Sequence, residues 1–267
     1  MDDALNGKVA ILTGAGRGLG RAMALGLARA GAQVLALAAR ERAEVEAVAA
    51  EAPRIHARVG DVTKAEDCAR AVETSVSRFG GLHILVSNAG RGMKYVSESF
   101  MTEPTRFWEV APETWRLVID TNVNGPFLMA RAAAPQMMRQ GWGRIVNISM
   151  SHETMRRKGF SPYGPSKAAL ESETIIWAQD LAGTGVTVNA LLPGGATRTG
   201  MIPASFPAEL RTGLLDPAVM VPPLLWLASE RSDGVTGQRF VASRWGSEVT
   251  EDAAIKAARE NAGWPGT

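Results

Sequence analysis

The chain has one cysteine, Cys68, and three histidines, His56, His83 and His152, in 267 residues. A single thiol closes no internal disulfide, which excludes a disulfide-stapled scaffold and fits a reducing compartment, so a cytoplasmic location is expected. His152-Glu153 lacks a second histidine at the spacing of a metal-binding helix, and so few ligand-type residues predict no metal site. Cys68 falls in a predicted helix and reads as packing rather than as a nucleophile. Long apolar runs are also lacking. The longest, residues 218–228, holds Pro222 and Pro223, and it falls short of the ~20 residues that a membrane helix needs, so no membrane association is expected. The opening MDDALNGK is acidic and shows no apolar export core. Neither sign of charge dominates: 29 Lys and Arg stand against 27 Asp and Glu, a net charge of +2. The two signs are interspersed, without the basic stripe of a nucleic-acid binder. There is no internal repeat and no low-complexity segment.

What is present is an alternation. Short apolar runs rich in β-branched residues end in Gly or Asp turns and lead into Ala-rich amphipathic stretches. Strands are predicted at 8–13, 33–38, 55–59, 84–87, 144–148, 187–192 and 238–242. Helices are predicted at 21–30, 41–50, 64–79, 112–140 (mostly helical, with a short break), 163–181 and 219–229. Continuously apolar strands alternating with helices indicate a parallel sheet covered on both faces. The expected fold class is α/β, a single-domain Rossmann fold with a doubly wound, mostly parallel, seven-stranded sheet flanked by helices over residues 1–246. Residues 247–267 are expected to form a C-terminal tail that packs on a partner subunit or frays. Two stretches break the alternation: 91–110, with Tyr95, Phe100, Phe107 and Trp108, and 199–217, rich in Pro and Gly. Both follow strands at the same sheet edge and read as lids, the alternative being surface excursions.

The turn Thr13-Gly14-Ala15-Gly16-Arg17-Gly18-Leu19-Gly20 lies between the first strand and the first helix. Glycines there permit a tight turn, close approach of a pyrophosphate to the backbone, and packing of helix on strand; free N–H groups and the helix dipole then hold the phosphates. After the second strand stand Ala39 and Arg40. An arginine at that place suits a ribose 2′-phosphate, and Arg17 can approach the same group, so NADP(H) is favoured and NAD(H) is the alternative. In the alternative, Arg40 is a solvated charge and Glu41 or Asp61 serves an unphosphorylated ribose. Tyr163 and Lys167 open the long helix four residues apart, on one face. A nearby cation is expected to lower the phenol's pKa, which fits it for proton exchange with an alcohol or carbonyl oxygen.

These residues stand with others in one order: Asp61-Val62, Asn88-Ala89-Gly90, Asn122 in Thr-Asn-Val-Asn-Gly, Gly143–Ser149 (Gly-Arg-Ile-Val-Asn-Ile-Ser), and Val188-Asn189 leading to Pro193-Gly194. In this combination the chain resembles the short-chain dehydrogenase/reductase family over about residues 5–245. The resemblance implies hydride transfer between a nicotinamide and a carbonyl or alcohol. It implies that Tyr163 is the proton donor and acceptor, that Lys167 holds the nicotinamide ribose and lowers the tyrosine pKa, and that Asn122 holds a relay water. Gly14, Arg17, Gly18, Leu19 and Gly20 would surround the pyrophosphate and adenosine ribose. Asp61 and Val62 would contact the adenine, with Asn88, Ala89 and Gly90 along the ribose and floor of the site. Pro193, Gly194 and Gly195 would meet the nicotinamide end, with Thr199 at its carboxamide or a phosphate. The family also implies a homo-oligomer, dimer or tetramer, through the helices at 112–140 and 163–181.

The chain departs from the family in several places, among them the end of the last strand, Val241–Gly246, and a short lid after Thr199. The serine expected thirteen residues before the tyrosine is Met150, whose thioether is only a weak acceptor. Ser151 is the favoured stand-in if a bulge turns it inward; Ser149, or no serine, are the alternatives. The stretch from Asn88 to Asn122 is longer than the family's, and its aromatics suggest an enlarged apolar mouth. Thr197 competes with Thr199 because the segment after Pro193-Gly194 is one residue longer. The leading expectation is an NADP(H)-dependent carbonyl reductase or alcohol dehydrogenase acting on a small apolar or cyclic substrate. The alternatives are an NAD-dependent alcohol or diol dehydrogenase, and a cofactor-binding module weakened at Met150.

Overall fold

The computed structural model describes residues 4–39, 42–246 and 248–263. Val9–Thr13 (β1) is buried along its whole length, as are Ile84–Ser87 (β4), Gly143–Ile148 (β5) and Val186–Leu192 (β6). Such strands have no solvent face, which requires helices on both sides of the sheet. Gln33–Ala38 (β2), Ile55–Val59 (β3) and Gln238–Val241 (β7) complete the parallel part. The helices are Gly18–Arg29 (α1), Arg42–Ala50 (α2), Ala65–Phe79 (α3), Pro112–Ile119 (α4), Gly125–Gln140 (α5), His152–Met155 (α6), Tyr163–Asp180 (α7), Val221–Leu227 (α8) and Glu251–Ala258 (α9). On one face, Met23, Leu27, Leu224 and Trp226 meet Val34, Val86 and Phe240. On the other, Cys68, Val72, Met129 and Met137 meet Ile11, Leu85 and Val188.

The strand order is β3-β2-β1-β4-β5-β6-β7-β8. Connections run outward in opposite directions from β1 and β4, which pair in parallel at Ala10↔Ile84 and Leu12↔Val86. That reversal opens a crevice at the carboxyl ends of β1 and β4, the usual ligand position in such sheets. The glycine turn leaves β1 there, and Asn88 leaves β4.

Two expectations are corrected. The described residues form an eight-stranded sheet, not a seven-stranded one, because Arg259–Asn261 (β8) pairs antiparallel with β7 at Gln238↔Asn261 and Phe240↔Arg259. Its three polar residues carry no hydrophobic alternation; the open edge of β7 supplies the pairing. Residues 248–263 therefore belong to the same domain as 4–246. The Thr250 hydroxyl caps α9 at the Ala253 amide, and Ala258 is buried in the core that holds Trp226 and Phe240. The expected break within 112–140 is a π-helical turn, Asp120–Asn124, centred on Asn122.

Candidate active site

The glycine turn is shaped by close backbone approach. Gly14 (φ +67°) would place a Cβ 2.9 Å from Ala89 Cα, and Gly18 (φ +53°) would place one 3.0 Å from Thr199 Cγ2. A Cβ on Gly20 would fall 2.0 Å from the Gly14 carbonyl oxygen. Arg17, the N-cap of α1, offers no side-chain oxygen to the first-turn amides, and that turn contains no acidic residue. A helix start in this condition attracts an anion, so the cradle fits a pyrophosphate. Asn88 holds the turn from the side, its Nδ2 donating to the Thr13 and Gly14 carbonyls, both at 3.0 Å. The Thr13 hydroxyl accepts from the Asn88 and Ala89 amides, also at 3.0 Å. The sequence motif includes Thr13 without giving it a role; its place at the end of an otherwise apolar strand is the available signal.

Of the adenosine-side residues, Arg40 lies outside the described residues. Arg17 Nη1 lies 3.3 Å from Glu44 Oε1 on α2, and Glu44, not anticipated from sequence, stands against Gly16. The Asp61 carboxylate accepts from the Thr63 amide at 3.0 Å and from its hydroxyl at 2.8 Å. Val62 is buried against α5, where a Cβ on Gly125 would meet its Cγ2 at 2.7 Å. At the other end, the Ser243 amide donates to the Pro193 carbonyl at 3.0 Å, and Gly194 (φ +89°) leaves the space the Ser243 hydroxyl occupies. Gly195 abuts Leu215. Thr199 borders the glycine turn, whereas the Thr197 hydroxyl turns back to the Gly195 carbonyl at 3.1 Å.

Tyr163 opens α7 and Lys167 follows on the same face, its Nζ 6.0 Å from the phenol ring centre. Lys167 is buried and donates to the Ile148 carbonyl at 2.7 Å. Burial brings its pKa down to about 8, against the opposing pull of Glu171. Tyr163 behaves differently from expectation: burial pushes its pKa up to about 12, and Lys167 does not offset this. The ammonium donates to the Ile148 carbonyl, and desolvation of the phenol wins. Asn122 is fully buried. Its Oδ1 accepts from the Arg91 amide at 2.7 Å, and its Nδ2 donates to the Arg91 carbonyl at 3.0 Å and to Ser166 Oγ at 2.9 Å. A Cβ on Gly90 would lie 3.4 Å from Asn122 Oδ1 and 3.9 Å from Lys167 Nζ. The missing side chain therefore leaves a gap between amide and ammonium.

Met150 is buried with Met93, Met155 and Phe160, and Tyr163 packs against this cluster. Ser149 Oγ donates to Glu171 Oε1 at 2.6 Å, behind the site. Ser151 is the N-cap of α6: its oxygen accepts from the Thr154 amide at 3.3 Å and lies 2.7 Å from Thr154 Oγ1. Of the four aromatics expected to line the mouth, only Phe100 packs on the cluster, edge-on to Phe160 at 5.8 Å between ring centres. Phe107 and Trp108 are 70% and 66% exposed, and Tyr95 also faces outward. They stack with each other and with Arg91 and Arg106 instead. The two long excursions meet where Ser205 Oγ donates to the Glu98 carbonyl at 2.7 Å, and Met201 covers Gly92.

Known proteins match this arrangement. A family described as short chain dehydrogenase matches residues 8–209. A short-chain type dehydrogenase/reductase of Picea abies is 34% identical over 252 residues, covering 88% of this chain and 90% of its own. A 3-ketoacyl-(acyl-carrier-protein) reductase from Brucella melitensis, solved with NADH, is 32% identical with a TM-score of 0.76, covering 87% of this chain and 95% of its own. A solved NAD(P)-dependent gluconate 5-dehydrogenase from Beutenbergia cavernae, assigned that activity putatively and holding NADP, is 31% identical with a TM-score of 0.76, covering 89% of this chain and 96% of its own. The match in order, fold and extent means that this chain belongs to the short-chain dehydrogenase/reductase family of Rossmann-fold oxidoreductases.

Proposed function

We propose that the chain is an NADP(H)-dependent reductase of ketones, working also as an alcohol dehydrogenase in reverse, with an apolar substrate. The observation that carries this reading is the Tyr163 phenol set against a methionine and phenylalanine wall, with a buried Lys167 one helical turn away. The bound nicotinamide would supply the hydride. Tyr163, neutral at physiological pH because burial raises its pKa to about 12, donates its proton to the substrate oxygen as that oxygen gains negative charge. Lys167, brought down to about 8, stabilises the resulting phenolate and returns a proton. Asn122 Oδ1 keeps a second lone pair for a water in the gap left by Gly90, so protons pass from solvent to Lys167. Gly14, Gly18, Leu19 and Gly20 hold the pyrophosphate; Asp61, Val62, Asn88, Ala89 and Gly90 line the adenosine side; Pro193, Gly194, Gly195 and Thr199 close the nicotinamide end. Arg17 holds the 2′-phosphate.

Met150 removes one hydrogen-bond donor to the substrate oxygen. Ser151 is its stand-in, because the Ser149 proton is committed to Glu171, whereas the Ser151 hydroxyl accepts from the Thr154 amide and shares one bond with Thr154 Oγ1 in which either oxygen can donate. Methionine side chains adapt to varied apolar shapes, which suits a broad range of hydrophobic ketones. Tyr163→Phe is expected to lower turnover of a cyclic or aryl ketone by about 100- to 10,000-fold while NADPH still quenches tryptophan fluorescence with unchanged affinity. A Tyr163→Phe protein as active as the parent would leave a cofactor-binding module without catalysis. The Glu44 carboxylate beside Arg17 favours a second reading, an NAD-dependent dehydrogenase, in which Glu44 takes the unphosphorylated ribose.

A further inference from the structure

Beside the Tyr163–Lys167 pair lies a buried charge network whose members are assigned no step in the reaction above, although Glu171 opposes the fall in the Lys167 pKa. Arg239 on β7 and Glu171 on α7 are each 2% exposed at their side chains, with Arg239 Nε 3.3 Å from Glu171 Oε1. Arg239 Nη1 reaches Glu260 Oε2 on β8 at 2.9 Å and His152 Nδ1 at 2.8 Å. Its Nη2 donates to the Met150 carbonyl at 2.8 Å. Glu171 accepts from Ser149 Oγ at 2.6 Å and from the Gly263 amide at 3.1 Å. Arg244 joins through Glu260. Residues 149–152, which leave β5 and lead into α6, are thus held from behind at three successive points. Glu171 stands four residues after Lys167, on the same helix face.

The geometry points to Arg239 and Glu171 as positioning residues for the Tyr163 site, fastened by Glu260 of β8, so that residues 248–263 complete the active site. The inference rests on the reductase reading. Burying an arginine costs several kcal/mol unless it is fully paired, and an aliphatic residue would fill a strand interior more cheaply. Arg239 instead spends its Nη donors on the Met150 carbonyl, on α6 and on the C-terminal strand, while its Nε stands at ion-pair distance from Glu171 without a hydrogen bond. The backbone at Met150 is where the substrate oxygen lacks the family's serine. Holding its carbonyl sets the direction in which Ser151 leaves the strand.

The test uses the full chain. Replacing both charges, in Arg239→Met with Glu171→Gln, avoids leaving either member of the Arg239–Glu171 pair without the other, and replacing a buried pair is often close to neutral in stability. The double variant is expected to keep its circular dichroism and, within about threefold, its NADPH affinity. Its kcat should fall by about tenfold or more with little change in KM, Arg239→Lys should recover part of that loss, and amide exchange over 149–156 should quicken by about fivefold. A folded double variant with unchanged kcat, or with unchanged exchange over 149–156, overturns the inference. If the double variant does not fold, Glu260→Gln, altered at the partly exposed end of the network, is read in its place by the same two measurements and the same criteria. A parent chain that reduces no ketone defeats the reductase reading instead; exchange then decides the positioning by itself, with faster exchange sustaining it and unchanged exchange overturning it.

Discussion

At the scale of single residues, the site is governed by desolvation. Lys167 has a folded-state pKa of about 8, below its ordinary 10.5. The unfolded chain therefore binds more protons between those values, and stability rises with pH across that window. Tyr163 acts oppositely. Its folded value of about 12 lies above the ordinary 10, so the folded chain keeps a proton that the unfolded chain loses, and stability falls above pH 10. Lys167→Met should remove the rise between pH 8 and 10.5 from the cofactor-free protein's melting temperature and leave the fall above it. Persistence of that rise in the variant would show that Lys167 is not its source. Glu173 is a third case. Burial raises its carboxyl to about 7, and its Oε2 has no hydrogen-bond partner. Its penalty grows as pH rises from about 4.5 to 7, so Glu173→Gln should raise the melting temperature at pH 8 and change it little at pH 4. The two serines separate by bonding. Ser151→Ala should lower kcat by roughly 100- to 1,000-fold if it supplies the oxyanion donor, whereas Ser149→Ala should act only through Glu171. Equal effects of the two substitutions would contradict the assignment.

At the scale of elements, the β1–α1 turn and the loop after β6 act together, because a Cβ on Gly18 would meet Thr199 Cγ2 at a tight 3.0 Å. Gly18→Ala adds both a positive-φ penalty and a steric conflict. It should weaken NADPH and NADH binding alike by more than tenfold, measured by fluorescence quenching. Arg17→Ala touches only the phosphate end. It should reduce NADPH affinity more than NADH affinity, and equal losses would favour the Glu44 reading. The excursions after β4 and β6 also meet one another through Ser205 and Glu98. The first contributes Met93, Val96, Phe100 and Met101 to the wall beside Tyr163. Its outer aromatics face away from that wall because Arg91 and Arg106 hold them by cation–π contact at the surface.

At the scale of the whole molecule, one sheet carries everything described, and its edge is closed by β8. Trp115, Phe127, Met138 and Ile176 are exposed on α4, α5 and α7. Large apolar groups on neighbouring helices are poorly placed in water, which supports the expected homo-oligomer. Light scattering should give a dimer or tetramer, and Phe127→Glu with Ile176→Glu should shift it toward monomer; a monomeric parent chain would contradict the expectation. No helix among the described residues is long and apolar enough to cross a membrane.

The amino-acid sequence by itself determined the order and kind of nearly all elements, since the central strands β1, β4, β5 and β6 are mostly apolar and helices such as α3 and α4 carry a distinct apolar face. It also determined the reactive pair and the glycine cradle, because Tyr163 and Lys167 are joined by one helical turn and Gly14 to Gly20 by one loop. Those are local relations, readable at short spacing. Tertiary structure alone decided the rest. Polar β8 became a strand because β7 offered an open edge. Phe100 turned inward and Phe107 outward according to what each met across the chain. The Tyr163 pKa moved up because the packing around α7 buries the phenol. Glu171, Arg239 and Glu260 are ordinary surface-type charges in sequence, and only the packing of α7, β7 and β8 brings them together behind Met150.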